Sequence, residues 1–446
     1  MGEPNYVNVS IQTEGVVPTA ARAVGKVAIV GYSTATANVV AEHSSVSQIN
    51  STYGATSALA RSATLAIQNG ANPVFCVPVG ASTTAAEQVL VSSTNSASAV
   101  SALTYTITEG YPVPGTVVID NDGDNLVEGP DPNAGHHYII DYGNKQVIFH
   151  NAITVLSGTK DLALNYKIHV EGDFATALTN LESFDANFVV IAYGFGDAIT
   201  GSSSSLETHI VSAASGDKPR MGIVMNAKGV ATTTLAGALT NDRIALFHHN
   251  SYYDVAAIVA GVLSTLQPQE SLLLKPVAGD VSTGNFTDAQ YATFRTNQIN
   301  ALVKHSRIPT PSYRITESFT LSNNAFKKYI DSMRVIDDSA FKMKAALTNP
   351  GLLGTVKLGT VAGMNTLRAI VNKTLRDMVS SGEIDSYSFE IPGEEIVRKA
   401  VSERTAEEVS RLADFIATRQ FSVLISIVYT GAVHTLDPVK ITYSGT

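Results

Sequence analysis

Tryptophan is absent from these 446 residues, and cysteine occurs once, at Cys76. A single cysteine excludes an internal disulfide and makes no metal site alone. Within the apolar run Pro73-Val-Phe-Cys-Val-Pro-Val79 it reads as a small buried side chain. Charge is thin at 15% against 44% hydrophobic residues. Such a composition fits a chain with extensive protein-covered surface, or alternatively one with a bland soluble surface. The formal net charge of −9 argues against wholesale nucleic-acid binding, which needs phosphate-neutralising Lys and Arg. No apolar run approaches the roughly 20 residues of a membrane span, and no charged-then-apolar leader opens the chain. The expectation is a protein made and folded in a cytoplasm, without membrane insertion.

Chemical motifs are equally scarce. After Ala28-Ile-Val-Gly31 no glycine follows until Gly54, so the G-x-G-x-x-G turn of a dinucleotide fold is missing. Gly31-Tyr-Ser33-Thr-Ala35 ends in alanine where a nucleophile elbow needs glycine, so Ser33 reads as part of a strand-end loop. No G-x-x-x-x-G-K-[ST] occurs. His136-His137 and His248-His249 are adjacent pairs whose side chains would diverge on strands, so structural roles are expected rather than a shared metal. Asp120-Asn-Asp122-Gly-Asp124 has the alternating acids of a calcium loop. It has Asn125 at the sixth position and Asp131 at the twelfth, and reads better as a hairpin turn with exposed acids. No cofactor, metal or catalytic residue is expected.

What is present is pattern. Gly25–Gly31, Pro73–Val79, Asn187–Ala192, Arg220–Met225 and Arg243–Phe247 read as buried strands. They alternate with helices at Ser57–Asn69, Leu206–Ala214 and Tyr253–Leu266. That alternation implies a mainly parallel sheet with helices on its faces. Between them, roughly Glu87 to Val170, lies a Thr-, Ser-, Gly- and Asp-rich stretch, within a longer span, Ala81 to Gly216, where acids far outnumber bases. It has β-type runs at Leu103–Ile107, Thr116–Ile119, His137–Asp141 and Gln146–His150, with a turn at Tyr142-Gly-Asn-Lys145. From Leu321 an α+β pattern begins. Ala325–Leu347 reads as one long helix, and Leu367, Ile370, Val371, Leu375 and Met378 mark another, ended by Gly382. Strand Ile384–Ile391 follows, then a helix opened by the Thr405/Glu408 capping pattern and carrying Val409, Leu412, Ala413 and Ile416.

The two ends carry strands of their own. Tyr6-Val-Asn-Val-Ser-Ile-Gln-Thr13 alternates apolar and polar, as do Phe421–Val428 and the last run, Val439–Tyr443. A terminal strand must find an edge, because unpaired backbone groups are costly when buried. It pairs with its own sheet or with a neighbour's.

Several stretches together resemble the tail sheath proteins of contractile phage tails and related injection devices. They are Val27-Ala-Ile-Val-Gly31, Leu59 through Asn69-Gly to Val79, Ala256-Ala-Ile-Val-Ala-Gly-Val262, Tyr313-Arg-Ile-Thr316, Tyr329-Ile-Asp-Ser-Met-Arg-Val-Ile336, Gly382-Glu-Ile-Asp-Ser-Tyr387 and Gly431-Ala-Val-His434. Their order along the chain carries the likeness more than any one of them. The resemblance implies an α/β core with a mainly parallel sheet, in two parts (25–86 and 171–320). It further implies an inserted β-rich outer domain (87–170), an α+β C-terminal inner domain (321–431), and extended arms at 1–24 and 432–446.

It also implies a subunit that polymerises helically, in stacked six-fold rings around a tail tube protein, with baseplate and tail terminator proteins as further partners. Contraction from a metastable extended state would drive the tube through the target envelope, in a virion tail assembled in the host cytoplasm. Strand exchange would use Tyr6, Val7, Val9 and Ile11 at one end and Val433, His434, Leu436, Val439, Ile441 and Tyr443 at the other. Gly15, Pro18 and Gly431 are placed as joints between arm and body. Lys327, Lys328, Arg334, Lys342 and Lys344 could face an acidic tube, or form a solvated charged face. The rival readings are an α/β hydrolase-like enzyme with a decorated core and an adhesin-like binding protein.

Overall fold

The computed structural model describes residues 25–81, 83–91, 104–121, 124–151, 162–195, 197–200, 205–216, 218–229, 236, 238–279, 286–304, 313–348, 357, 359–418 and 422–432. The chain divides into two compact units. One comprises Val24–Leu266 and Leu272–Asn323; the other includes Gln267–Ser271 and the chain from Asn324 onward.

The first unit begins with β1 (Val27–Tyr32), β2 (Ala41–His43), α1 (Val46–Tyr53), α2 (Ala58–Gln68) and β3 (Val74–Val79). Every residue of β1 and β3 is buried, as befits strands covered on both faces. Seven short strands follow: β4 (Gln88–Val91), β5 (Thr104–Thr106), β6 (Val118–Asn121), β7 (Asp124–Asn125), β8 (Tyr138–Asp141), β9 (Gln146–Phe149) and β10 (Leu162–Asn165). They make two antiparallel sheets, ordered β4-β10-β6-β7 and β5-β9-β8. The core pattern then resumes with α3 (Ala175–Leu181), β11 (Phe188–Ile191), α4 (Asp197–Thr200), α5 (Leu206–Ser215), β12 (Met221–Met225), β13 (Ile244–His248) and α6 (Val255–Thr265). β14 (Pro276–Val277), α7 (Asp288–Thr296), β15 (Ile299–Lys304) and β16 (Tyr313–Ile315) complete it.

The large sheet runs β14-β16-β15-β13-β12-β11-β1-β3-β2. Its six central strands, from β15 to β3, are parallel, and β2, β16 and β14 pair antiparallel at the edges. The mixed sheet is therefore mostly parallel. Asp254 ties three elements together: it caps α6 by accepting from the Ala257 amide (3.1 Å), and takes hydrogen bonds from Ser62 of α2 (2.6 Å) and the Tyr193 amide beyond β11 (3.0 Å). Helices α2 and α6 touch at Gly261, where a Cβ would meet the Ala66 carbonyl at 2.4 Å.

The β-rich insertion is docked on this core by polar contacts. Arg61 of α2 donates to both Glu128 oxygens at 3.0 and 2.7 Å, and the Tyr142 hydroxyl joins them at 2.7 Å. Asn144, in the β8–β9 turn, donates to the Lys228 carbonyl at 2.7 Å.

The second unit holds α8 (Ile330–Leu347), α9 (Val361–Ser380), β17 (Ser386–Glu390), α10 (Glu394–Arg398), α11 (Ala406–Thr418) and β18 (Leu424–Val428). The single helix expected over Ala325–Leu347 is split. Asn324 caps a separate turn at Ala325–Lys327 through the Phe326 amide (2.9 Å), and Tyr329 is extended, so α8 starts at Ile330. Phe326 is exposed, so burial gives no reason to extend the helix over it.

Two buried histidines of the first unit are built to stay neutral. His249 accepts from the Ser251 amide at Nδ1 (3.1 Å) with Nε2 on the Asn226 carbonyl (2.8 Å), and burial holds it down to about 4. Burial, helped by the Arg220 guanidinium at 3.2 Å, holds His209 down to about 3. Both folded-state values lie below the unfolded value near 6.5, so their stabilising contribution is complete above that pH. It is lost as pH falls toward 4. The melting temperature of the first unit should therefore drop between pH 6.5 and 4. Differential scanning calorimetry of the full chain checks this, and a flat profile would contradict it.

Candidate assembly surface

The sequence pattern of β17 and β18 decides which faces they show. They pair antiparallel, with Tyr387 opposite Ile427, Phe389 opposite Ile425, Ser388 opposite Ser426 and Glu390 opposite Leu424. Alternation sends Tyr387, Phe389, Ile425 and Ile427 to one face and the serines, Glu390, Leu424 and Val428 to the other. The first face sits on a core of Met364, Leu367, Val371, Leu375 and Met378 from α9, with Ile396, Val397 and Leu412. Ile427 is buried, but Tyr387, Phe389 and Ile425 remain only half-buried.

Among the described residues, β17 and β18 pair with each other and with no further strand. A two-stranded sheet leaves one edge of each strand open, and such an edge is a template for another chain. Beside it, α11 opens with the capping pair: the Thr405 amide donates to Glu408 (2.9 Å) and the Glu408 amide to the Thr405 hydroxyl (3.2 Å). Its apolar stripe is poorly covered. Only Leu412 is buried, while Val409 is 48% and Ile416 57% exposed.

Beyond β18 the chain is held for two residues and then turns. The Thr430 amide donates to Asp385 at 2.8 Å, and the Tyr429 hydroxyl lies 2.9 Å from the Asp331 carboxylate. Gly431 follows with φ of 78°, in the left-handed region that glycine enters without strain. A Cβ there would meet nothing nearer than the Tyr429 ring at 4.0 Å.

The expected site residues divide accordingly. Tyr6, Val7, Val9, Ile11, Gly15 and Pro18, and Val433, His434, Leu436, Val439, Ile441 and Tyr443, lie outside the described residues. Arg334 corrects the tube-facing expectation. It is 9% exposed, donates to the Gln267 carbonyl at 3.0 Å, and has Asp331, Asp338 and Glu270 around its guanidinium, so it turns inward. Lys342 is likewise occupied, 3.0 Å from the buried Glu383. Lys344 lies half-buried on α8, and Lys327 and Lys328 stand before its first turn. Sequence reasoning missed the polar cluster of Asp331, Arg334, Asp338 and Tyr429. The signal was there: the three charged residues recur on one helical face at spacings of three and four.

The residues weighed for chemistry have other occupations. Ser33 donates to the Tyr53 carbonyl (3.2 Å) and accepts from the Ala35 amide (3.1 Å). His136 and His137 each accept a backbone amide, from Asp131 and Val127. His248 packs among Phe286 and Phe294. Asp120 and Asp124 lie on the paired strands β6 and β7, a tight hairpin. Among the described residues, no group of three or more His, Cys, Asp or Glu could hold a metal ion. No described helix is long and apolar enough to cross a membrane.

No family model matches the chain, and no curated protein matches it in sequence. Solved structures do match in fold. The contracted helical sheath of the anti-feeding prophage aligns with a TM-score of 0.56 at 11% identity, over 99% of this chain and 99% of that one. The contracted sheath complex of PVC, an extracellular contractile injection system, gives 0.58 at 10% identity over 100% of this chain and 99% of that one. A sheath tail protein from Desulfitobacterium hafniense gives 0.53 at 14% identity over 87% and 93%. The chain has the fold of the tail sheath proteins of contractile injection systems.

If the core under the two-stranded sheet holds β17 and β18 in place, Ile427→Ala should destabilise the second unit by about 2–4 kcal/mol. Urea unfolding of the full chain measures this, with the second unit's transition moving to lower denaturant.

Proposed function

We propose that this chain is the structural sheath subunit of a contractile tail or injection device. One observation carries the reading: a sheath fold matched over nearly the whole chain includes a two-stranded sheet with open edges and a half-covered apolar face. Strands arriving from other copies complete it. Segments 1–24 and 432–446 act as the arms that supply them, with Tyr6, Val7, Val9 and Ile11 and with Val433, His434, Leu436, Val439, Ile441 and Tyr443 as the paired residues.

A six-residue strand forms about four backbone hydrogen bonds, each worth roughly 0.5–1.5 kcal/mol net. Two arms per subunit, repeated around each six-fold ring, give a mesh whose members shift without separating. Gly15 and Pro18 at one end and Gly431 at the other serve as its joints. The mesh surrounds an inner tube, is seeded at a baseplate and capped by a terminator protein. Lys327, Lys328 and Lys344 would face the tube in this reading. Contraction proceeds from a metastable extended assembly toward tighter packing, driven by rearranged contacts between subunits. No observation favours the enzymatic alternative.

Negative-stain electron microscopy of the purified chain, beside a version lacking residues 1–14 and 432–446, tests the reading. Long hollow tubes are expected from the full chain and discrete particles from the truncation; discrete particles from both would sink the proposal. Gly431→Val separates joint from strand. Because the open surroundings leave only backbone strain of about 1–3 kcal/mol, tubes should still form while triggered contraction slows. Contraction at the native rate would remove the joint role.

A further inference from the structure

Three charged side chains on one face of α8 are buried: Asp331 at 1%, Arg334 at 9% and Asp338 at 2% exposure. Burying charge is costly unless the charges are paired and hydrogen-bonded, and an apolar face would pack α8 as well. Their contacts suggest what the cluster does. Arg334 donates through Nη1 to the Gln267 carbonyl at 3.0 Å. The Tyr429 hydroxyl lies between Asp331 Oδ2 at 2.9 Å and the Gln269 carbonyl at 3.3 Å. Burial and the Asp331 carboxylate push the Tyr429 phenol up, so the hydroxyl keeps its proton and can donate to these acceptors.

One end of this network is a place where the chain changes allegiance, and the other lies at the end of β18. Gln267–Ser271 packs with the second unit, although the residues before it, up to Leu266, and after it, from Leu272, pack with the first. Tyr429 is the first residue beyond β18 and stands two residues before Gly431. One phenol thus joins the root of the C-terminal arm to the Gln267–Ser271 segment, with the α8 carboxylate as the common anchor.

We propose that Asp331, Arg334 and Tyr429 form a latch that holds the arm root and the Gln267–Ser271 segment together, so that neither moves without the other. Asp331 and Arg334 are the fixed part, and Tyr429 is the positioning residue that engages them. The inference rests on the sheath reading for its purpose: a change in the arm's course during contraction would release the hydroxyl from Asp331 and Gln269. The Gln267–Ser271 segment would then lose one of its side-chain donors. Two discrete arrangements, latched and released, are the kind of element through which a local pull becomes a larger rearrangement.

The test is hydrogen exchange read by mass spectrometry on the full chain carrying Tyr429→Phe, with Tyr387→Phe as comparison. Tyr387 lies on the same two-stranded sheet and donates to Asn372 Oδ1 at 2.6 Å, so its loss removes a similar bond away from the latch. In Tyr429→Phe, exchange at residues 267–271 and at 429–432 should rise together, on the order of tenfold. In Tyr387→Phe neither segment should change. Asp331→Asn, which keeps an acceptor without the charge, should give a smaller rise at the same two segments, and it serves if the phenylalanine variant does not fold. An unchanged 267–271 segment, or an equal rise in Tyr387→Phe, overturns the latch. Failure of the unmodified chain to form tubes, with the exchange pattern intact, would instead sink the sheath reading and leave the latch standing.

Discussion

Backbone hydrogen bonding is the constraint on which the architecture turns. A buried strand must pair along its edges, and the two units meet that demand in different ways. In the first unit nine strands lie side by side, with short antiparallel strands at the margins of the parallel centre. In the second, β17 and β18 pair only with each other among the described residues. Their apolar face packs on the core of the second unit, with Ile427 buried and Tyr387, Phe389 and Ile425 half-buried. The edges beside it are where the proposed strand exchange would add further strands.

The polar contacts fall where a rigid connection is needed. Arg61, Glu128 and Tyr142 bind the β-rich insertion to α2, and Asp254 gathers α2, α6 and the loop beyond β11. In the second unit Asp331 and Arg334 occupy the corresponding role for the segment leaving β18 and for Gln267–Ser271. Ion pairs of this kind add little net stability, because desolvation offsets attraction. They specify position instead.

Much of this was legible because local pattern and tertiary placement agree. The buried strands around Ile29, Cys76 and Val190 announce themselves as apolar runs, and the Thr405/Glu408 pair marks its helix start. The Tyr142–Lys145 turn and the alternation of Phe389 and Ile427 with serine were equally plain. The fate of the charged residues was not. Lys342, Arg334 and Lys344 look alike in a helical pattern, yet Arg334 turns inward among Asp331 and Asp338 of its own helix, and Lys342 reaches Glu383, remote in sequence.

The sequence by itself determined most of the strands and helices and the faces they bury, because periodicity and composition are local properties. Only the tertiary structure decided the order of the strands, which charges are buried, and that Tyr429 meets Asp331 and Gln269. Those outcomes depend on segments that are far apart along the chain and are brought together by packing, and no local pattern encodes them.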